Sequence, residues 1–275
     1  QIALLSCVRP PIQNCCAVHD ARSALNAEAF QGTTARTMKL SSRLSETEFP
    51  PIAEALSWVA NRQSNIELLN LCQAVPSYPP AAELQDEFAR IAHLPNTGGY
   101  TEILGIKPLR EGFAAHLTKA YGAEVSAAEV GITSGCNQAF AAAIMALAEP
   151  GDNVILPSPW YFTHSMWLSM LSIETKSISA FCDAGAWPDV AAARKAITPK
   201  TRAIILCTPN NPTGAIYPPS VIEAFYELAV GGDINLILDE TYNDFRPGTS
   251  QPHNLFEHHA ARGHLVQLFS LSEIC

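Results

Sequence analysis

The chain has 275 residues, 48% of them hydrophobic and 16% charged, enough for a large core in one or two domains. Its formal net charge of −9 argues against nucleic acid as a partner, and no apolar run reaches the ~18–20 residues that span a bilayer. The eight cysteines include the neighbours Cys15 and Cys16 and are otherwise scattered, without metal-ligand or disulfide-framework spacing. They read as reduced thiols of an intracellular, cytoplasmic protein.

Residues 1–40 are rich in Ala, Ser and Cys and show no clear periodicity. They carry Arg9, Arg22 and Arg36 against only Asp20 and Glu28. The expectation is an N-terminal extension without fixed structure, with a mitochondrial transit peptide as the alternative. The chain starts on Gln1 rather than Met, which leaves a longer N-terminus open. A helical segment is expected over 41–95. Ile52, Leu56 and Val59 fall at near-helical spacing, and "AELQDEFARIAHL" places Leu84, Phe88 and Ile91 on one face. "GIKPLREGFAAHLTKAYG" predicts a further helix, with Pro108 in its first turn and Gly122 as its C-cap.

Beyond residue 122 strands and helices alternate. "EVGIT", "NVILPSP", "RAIILCTP", "NLILDE" and "HLVQLFS" read as strands. "CNQAFAAAIMALA", "YFTHSMWLSML" and "PSVIEAFYELAV" read as helices. Strands as apolar as "AIIL" and "LIL" imply a parallel sheet covered on both faces. In such sheets ligands gather at the carboxyl ends of the strands, and those ends carry "TSGCNQ", "PSPWYF", "TPNNPTG", "DETYND" and "FSLS".

Each of these ends has two readings. "TSGCNQAF" opens a helix whose first amides suit an anion such as phosphate, or Ser134 is simply an N-cap. Asn210 and Asn211 are turn residues, or amides that donate to a ligand oxygen. Asp239 ends an apolar strand, where a carboxylate needs a partner. That partner is a cationic ring nitrogen of a cofactor, a structural ion pair, or a metal shared with Glu240. Trp160, Tyr161 and Phe162 either pack in the core or offer a face to a flat heterocycle.

Taken in order, "Y-x4-G-x3-LR", "TSGCNQA", "P-x-Y", "TPNNPTG", "LDETY" and "FSLS" closely resemble the large domain of the class I/II aminotransferases, pyridoxal-phosphate enzymes of fold type I. The resemblance covers roughly residues 50–273. It implies a three-layer α/β/α fold, pyridoxal 5′-phosphate as cofactor, and transfer of an amino group from an L-amino acid to a 2-oxo acid by a ping-pong route. Gly135 and Cys136 then correspond to the phosphate cradle, Tyr161 to the stacking aromatic, and Asn211 and Tyr242 to the donors for the phenolic oxygen. Asp239 corresponds to the partner of the ring nitrogen, and Ser270 to a phosphate ligand. Tyr100 matches a tyrosine that reaches the phosphate of a neighbouring subunit, which implies a homodimer. Residues 70–78, "NLCQAVPSY", lie where members of the family close over substrate.

One position departs from the pattern. The family's catalytic lysine, which anchors the cofactor and moves the proton, follows the serine matched by Ser272, and here Glu273 stands in its place. Lys107, Lys119, Lys176, Lys195 and Lys200 fall on other elements. The expectation is therefore a large domain, 96–275, that stops at the lysine position without the family's C-terminal small domain and does not turn over as written. The alternatives are a non-catalytic protein that binds the cofactor or dimerises, and a piece of a lyase or synthase of the same fold.

Overall fold

A computed structural model describes residues 2–5, 41–69, 78–248, 250–258 and 263–272. Expectations for 6–40, most of 70–78 and Glu273 fall outside these residues. The strands are β1 (Ile2–Leu5), β2 (Val130–Thr133), β3 (Asn153–Ser158), β4 (Glu174–Ser179), β5 (Thr201–Cys207), β6 (Asn235–Asp239) and β7 (Leu265–Leu268). They form one sheet in the order β2-β1-β7-β6-β5-β3-β4, and every pairing is parallel. Residues 2–5, inside a stretch with no periodicity, supply the strand between β2 and β7.

The strands are apolar throughout because consecutive residues enter different cores. Ile204, Leu206, Leu236 and Leu238 join one cluster, packed against α7 (Pro219–Gly231) through Phe225 and against α6 (Val190–Ala196). Ala203, Ile205 and Ile237 join the other, with Phe140 of α4 (Cys136–Leu147) and Leu168 of α5 (Phe162–Met170). Period-two alternation between two helix layers is the reason a strand here shows no polar face. The three-layer α/β/α arrangement read from the sequence is thus present.

Besides β1, which falls in the segment expected to lack fixed structure, β4 and α6 escaped the sequence reading. The edge strand β4, "ETKSIS", buries only Ile178, so it lacks the apolar run that marked its neighbours. Helix α6 spans seven residues, too few for a periodic signal.

Helix α3 (Lys107–Tyr121) starts with Pro108 in its first turn and ends on Gly122 at φ 67°, as the sequence predicts. The "Y-x4-G-x3-LR" pattern now has a physical reading. Gly105 sits at φ +94°, where a Cβ would lie 2.6 Å from Ile132 Cγ1, so only glycine lets the loop lie flat on β2. Arg110 then donates to the carbonyls of Gly105 and Ala127 at 3.0 and 2.9 Å, fastening the loop to the turn that enters β2.

Helices α1 (Pro51–Ala60) and α2 (Ala82–Ala92) form where the spacing placed them, but neither buries a residue within this chain. Leu56, Val59, Phe88 and Ile91 are exposed. The helical period was right, while the apolar faces have no partner among the described residues.

Glu240 does not form an acidic pair with Asp239. The two carboxylates take separate partners: Asp239 meets His164, whereas Glu240 accepts from the Tyr121 hydroxyl at 2.9 Å, Gln267 Nε2 at 2.9 Å and His253 Nε2 at 3.3 Å. His253 Nδ1 accepts from the Leu255 amide at 3.2 Å, which leaves its proton on Nε2, facing Glu240. Burial first, and then the Glu240 charge, raise the Tyr121 pKa far above its ordinary value, so the phenol remains a donor. This cluster ties α3, β7 and the 251–257 segment beneath the end of β6. Tyr121→Phe should cost about 1–3 kcal/mol, the penalty for a buried acceptor left short of a donor. Urea denaturation of the two chains checks this, and a difference within error would show that water or another donor replaces the phenol.

Candidate functional site

The register aligns the strand ends into one rim. Cys207 pairs with Asp239, and Asp239 with Leu268. Ala3 pairs with both Gly131 and Leu268, which sets Thr133 and Ser270 on a common row two residues further along. The residues singled out from sequence at the ends of β2, β5, β6 and β7 therefore face one edge of the sheet.

Asp239 lies at the centre of this rim and is 3% exposed. Its Oδ1 accepts from the Thr241 amide at 3.0 Å and the Thr241 hydroxyl at 2.7 Å. Its Oδ2 lies 3.0 Å from His164 Nε2. Burial alone pushes this carboxyl up; the hydrogen bond and electrostatic pull of the His164 ring and the two bonds from Thr241 outweigh it, and the pKa lies below the ordinary aspartate value. With the carboxylate charged, His164 must carry its proton on Nε2. His164 is itself buried on α5, with its ring centroid 4.4 Å from Phe140 and 5.4 Å from Tyr161, which meets it edge-on.

Thr241 links this pair to the start of α4, since its hydroxyl lies 3.3 Å from Cys136 Sγ. The N-cap of α4 is Gly135 at φ 87°, without a side-chain cap. Ser134 is thus not the cap; its amide is taken by Gln138 Oε1 at 2.5 Å. A glycine N-cap leaves the first amides of the helix to an external anion.

The two asparagines divide the readings between them. Asn210 builds the turn: its Oδ1 accepts from the Thr213 amide and hydroxyl at 3.1 and 2.8 Å, and Gly214 at φ 71° returns the chain to it. Asn211 faces the rim, where its Nδ2 lies 3.4 Å from the Tyr242 hydroxyl. Ser270 is buried on its row, and its Oγ lies 2.7 Å from Ser272 Oγ. Tyr100 stands apart, fully exposed on the loop before Gly105.

The structure thus joins Cys136, Tyr161 and Asp239 through Thr241 and His164, pairs Asn211 with Tyr242, and leaves Tyr100 outside. His164 and Thr241 were missed in the sequence. The signal for His164 was available, because it follows Tyr161 by three residues and the two neighbour each other at the start of one helix. Thr241 carried none beyond lying two residues past Asp239. The buried carboxylate, the open helix start and the converging Asn211 and Tyr242 suit a flat, anionic ligand with a cationic ring nitrogen.

Residues 66–272 match the family described as aminotransferase class I and II. The chain belongs to that family. The aspartate/prephenate aminotransferase of Thermus thermophilus is 31% identical over 222 residues, covering 78% of this chain and 57% of the relative. A probable N-succinyldiaminopimelate aminotransferase of Mycobacterium tuberculosis is 36% identical over 140 residues, 50% of this chain and 35% of that protein. The solved structure of the Thermus thermophilus aspartate aminotransferase with maleate superposes with a TM-score of 0.72 at 29% identity, covering 84% of this chain and 60% of that one. The chain therefore spans less than two thirds of the length of each of these relatives. Aminotransferases of this family depend on pyridoxal 5′-phosphate, and the fold is that of their large domain. No helix among the described residues is long and apolar enough to cross a membrane.

The depressed pKa of Asp239 fixes the sign of a pH effect. A carboxyl with a folded pKa below its unfolded value of about 3.9 contributes stability that is present above that value and lost as pH falls through the folded one. The stability difference between the wild-type chain and Asp239→Asn should stay level from neutral pH to about pH 5 and change only below about pH 4. A change confined to the range above pH 5 would show that the carboxyl is not depressed.

Proposed function

We propose that this chain forms the pyridoxal 5′-phosphate site of an aminotransferase acting on an L-amino acid and a 2-oxo acid. The observation that carries the reading is Asp239, a buried carboxylate at a parallel-sheet rim, held charged by His164 and Thr241. A structural ion pair alone would not place such a group beside an open helix start and a pair of converging donors.

When bound, the cofactor supplies an electron sink for the substrate carbon that loses its proton. This chain's residues position it. Asp239 would pair with the ring nitrogen and favour its protonated form, Asn211 and Tyr242 would donate to the phenolic oxygen, and Tyr161 would supply the stacking aromatic. The start of α4 would hold the phosphate with Ser270, through the Cys136 amide and through Gly135 once its own amide, which donates to the Thr133 carbonyl at 3.2 Å, is released. The covalent anchor is a separate matter. Position 273 is glutamate, which cannot form an imine, so the chain as written binds the cofactor without a covalent link and does not transfer amino groups. Glu273 also favours the second reading, a non-catalytic cofactor-binding protein.

The proposed assembly is a homodimer. Trp58, Ile66, Leu69, Ile103 and Tyr100 are all more than 60% exposed, and so many large apolar side chains over residues 58–103 mark an association surface. Tyr100 would reach the partner's phosphate site from there. Among the described residues Cys136, Cys182 and Cys207 form no disulfide, which supports a reducing, cytoplasmic setting.

Pyridoxal 5′-phosphate binding, followed by fluorescence, should weaken by more than about tenfold in Asp239→Ala, as when one member of a buried charge pair is removed. Borohydride reduction and peptide mass mapping should give no adduct in the wild-type chain and one at position 273 in Glu273→Lys. A stoichiometric wild-type adduct on Lys107, Lys119, Lys176, Lys195 or Lys200 would overturn this account of the site. Sedimentation at micromolar concentration should give a dimer, and Trp58→Asp together with Ile103→Asp a monomer; a wild-type monomer would remove the proposed role of Tyr100.

A further inference from the structure

Behind the Asp239–His164 pair lies a small cavity. Leu156, Trp160 and Ile205 line its apolar side, and His164, Asn210 and Tyr217 its polar side. Its volume, about 10 Å³, is that of a single water site. Two buried polar atoms with no protein hydrogen-bond partner belong to residues on its wall, His164 Nδ1 and the Tyr217 hydroxyl. Their residues are 2% and 1% exposed. Leaving either atom unsatisfied is costly, and native proteins meet such groups with protein or ordered water.

Asp239 takes the Nε2 proton of His164, and on the neutral ring Nδ1 is then a bare acceptor. Burial, and then the neighbouring Cys207 thiol, push the Tyr217 phenol well above its ordinary pKa, so it keeps its proton. The Asn210 side chain flanks that hydroxyl without hydrogen-bond geometry, and its oxygen is engaged by Thr213. It therefore has only N–H to offer, and the phenol proton is left for the cavity. A water between the two accepts from Tyr217 and donates to Nδ1.

We propose that Tyr217 is a positioning residue that, through one ordered water in this cavity, fixes the tautomer and ring orientation of His164 and thereby its hydrogen bond to Asp239. The ring is then held from both sides, by the carboxylate at Nε2 and by the water at Nδ1, and the carboxylate stays in place for a cationic ligand. The titratable groups around the ring and its cavity are Asp239 on β6, Cys207 on β5, Tyr161, and Tyr217 beyond β5, with Cys136 on the far side of Thr241. None of them replaces the water as a donor to Nδ1. The inference deepens the proposed function, because its consequence concerns the same carboxylate.

The test uses the full chain with ¹⁵N-labelled histidine and no added cofactor, so it is independent of whether pyridoxal 5′-phosphate binds. The wild-type His164 resonance should show the neutral Nε2–H tautomer with a hydrogen-bonded Nδ1. In Tyr217→Phe the Nδ1 hydrogen-bond signature should be lost. Loss of tertiary packing alone would not remove that signature while leaving the Asp239-bound tautomer in place. An unchanged Nδ1 shift would overturn the proposal. If Tyr217→Phe does not fold, a high-resolution crystal structure of the wild-type chain decides: one water within reach of both atoms supports it, and a dry cavity sinks it.

Discussion

The carboxylate of Asp239 constrains the rest of the molecule more than any other group. A charge at the end of an apolar strand, with helices covering both faces of the sheet, is costly unless several donors meet it. Three donors do so from two elements, His164 on α5 and Thr241 through its amide and hydroxyl. Each donor fixes something further. His164 sets the position of α5 against the sheet and brings Tyr161 to the rim. Thr241 draws the start of α4 toward the same point through Cys136. The site is thus organised outward from a group that cannot be left alone.

Glu240 repeats the arrangement with separate partners. Its carboxylate is met by Tyr121, Gln267 and His253, none of which is charged in the observed geometry. The two acidic residues divide the work: one secures the helix α3 and the 251–257 segment, and the other is kept for the rim. Neutral donors suffice for Glu240 because nothing is required of it beyond staying buried. Asp239 instead has one oxygen bonded to Thr241 and the other to His164, at the rim itself.

What the sequence showed follows from which signals survive without a third dimension. The fully buried strands were legible because two cores demand apolar residues at every position, as in "AIIL" over Ala203–Leu206. Turn chemistry was legible at Gly122, where a left-handed C-cap needs glycine. The edge strand β4 was not, because exposure allows it a polar sequence. Helices α1 and α2 were placed correctly, but their apolar faces could not be assigned a partner, since spacing gives a direction and not an occupant. At the rim, Asp239, Asn211 and Tyr161 stood out as strand-end residues of unusual type. His164 and Thr241 did not, because a histidine within a helix and a threonine within a turn are ordinary until a carboxylate is seen beside them. Tyr217 was hidden more deeply, ten residues past the end of β5 in a segment that reads as loop.

The glutamate at position 273 can be weighed against this architecture. The features that suit the cofactor do not depend on the anchor. Gly135 at φ 87° opens α4, Asn210 holds the turn that presents Asn211, and Asp239 needs its donors whenever the sheet folds. A chain that lost its covalent anchor would therefore retain a shaped, charged rim for as long as it kept its core, because the residues that make the rim also satisfy buried groups. Drift at Asp239 or His164 would be penalised by stability before it was tested by chemistry. Conversely, an intact rim is evidence of a binding site and not of turnover.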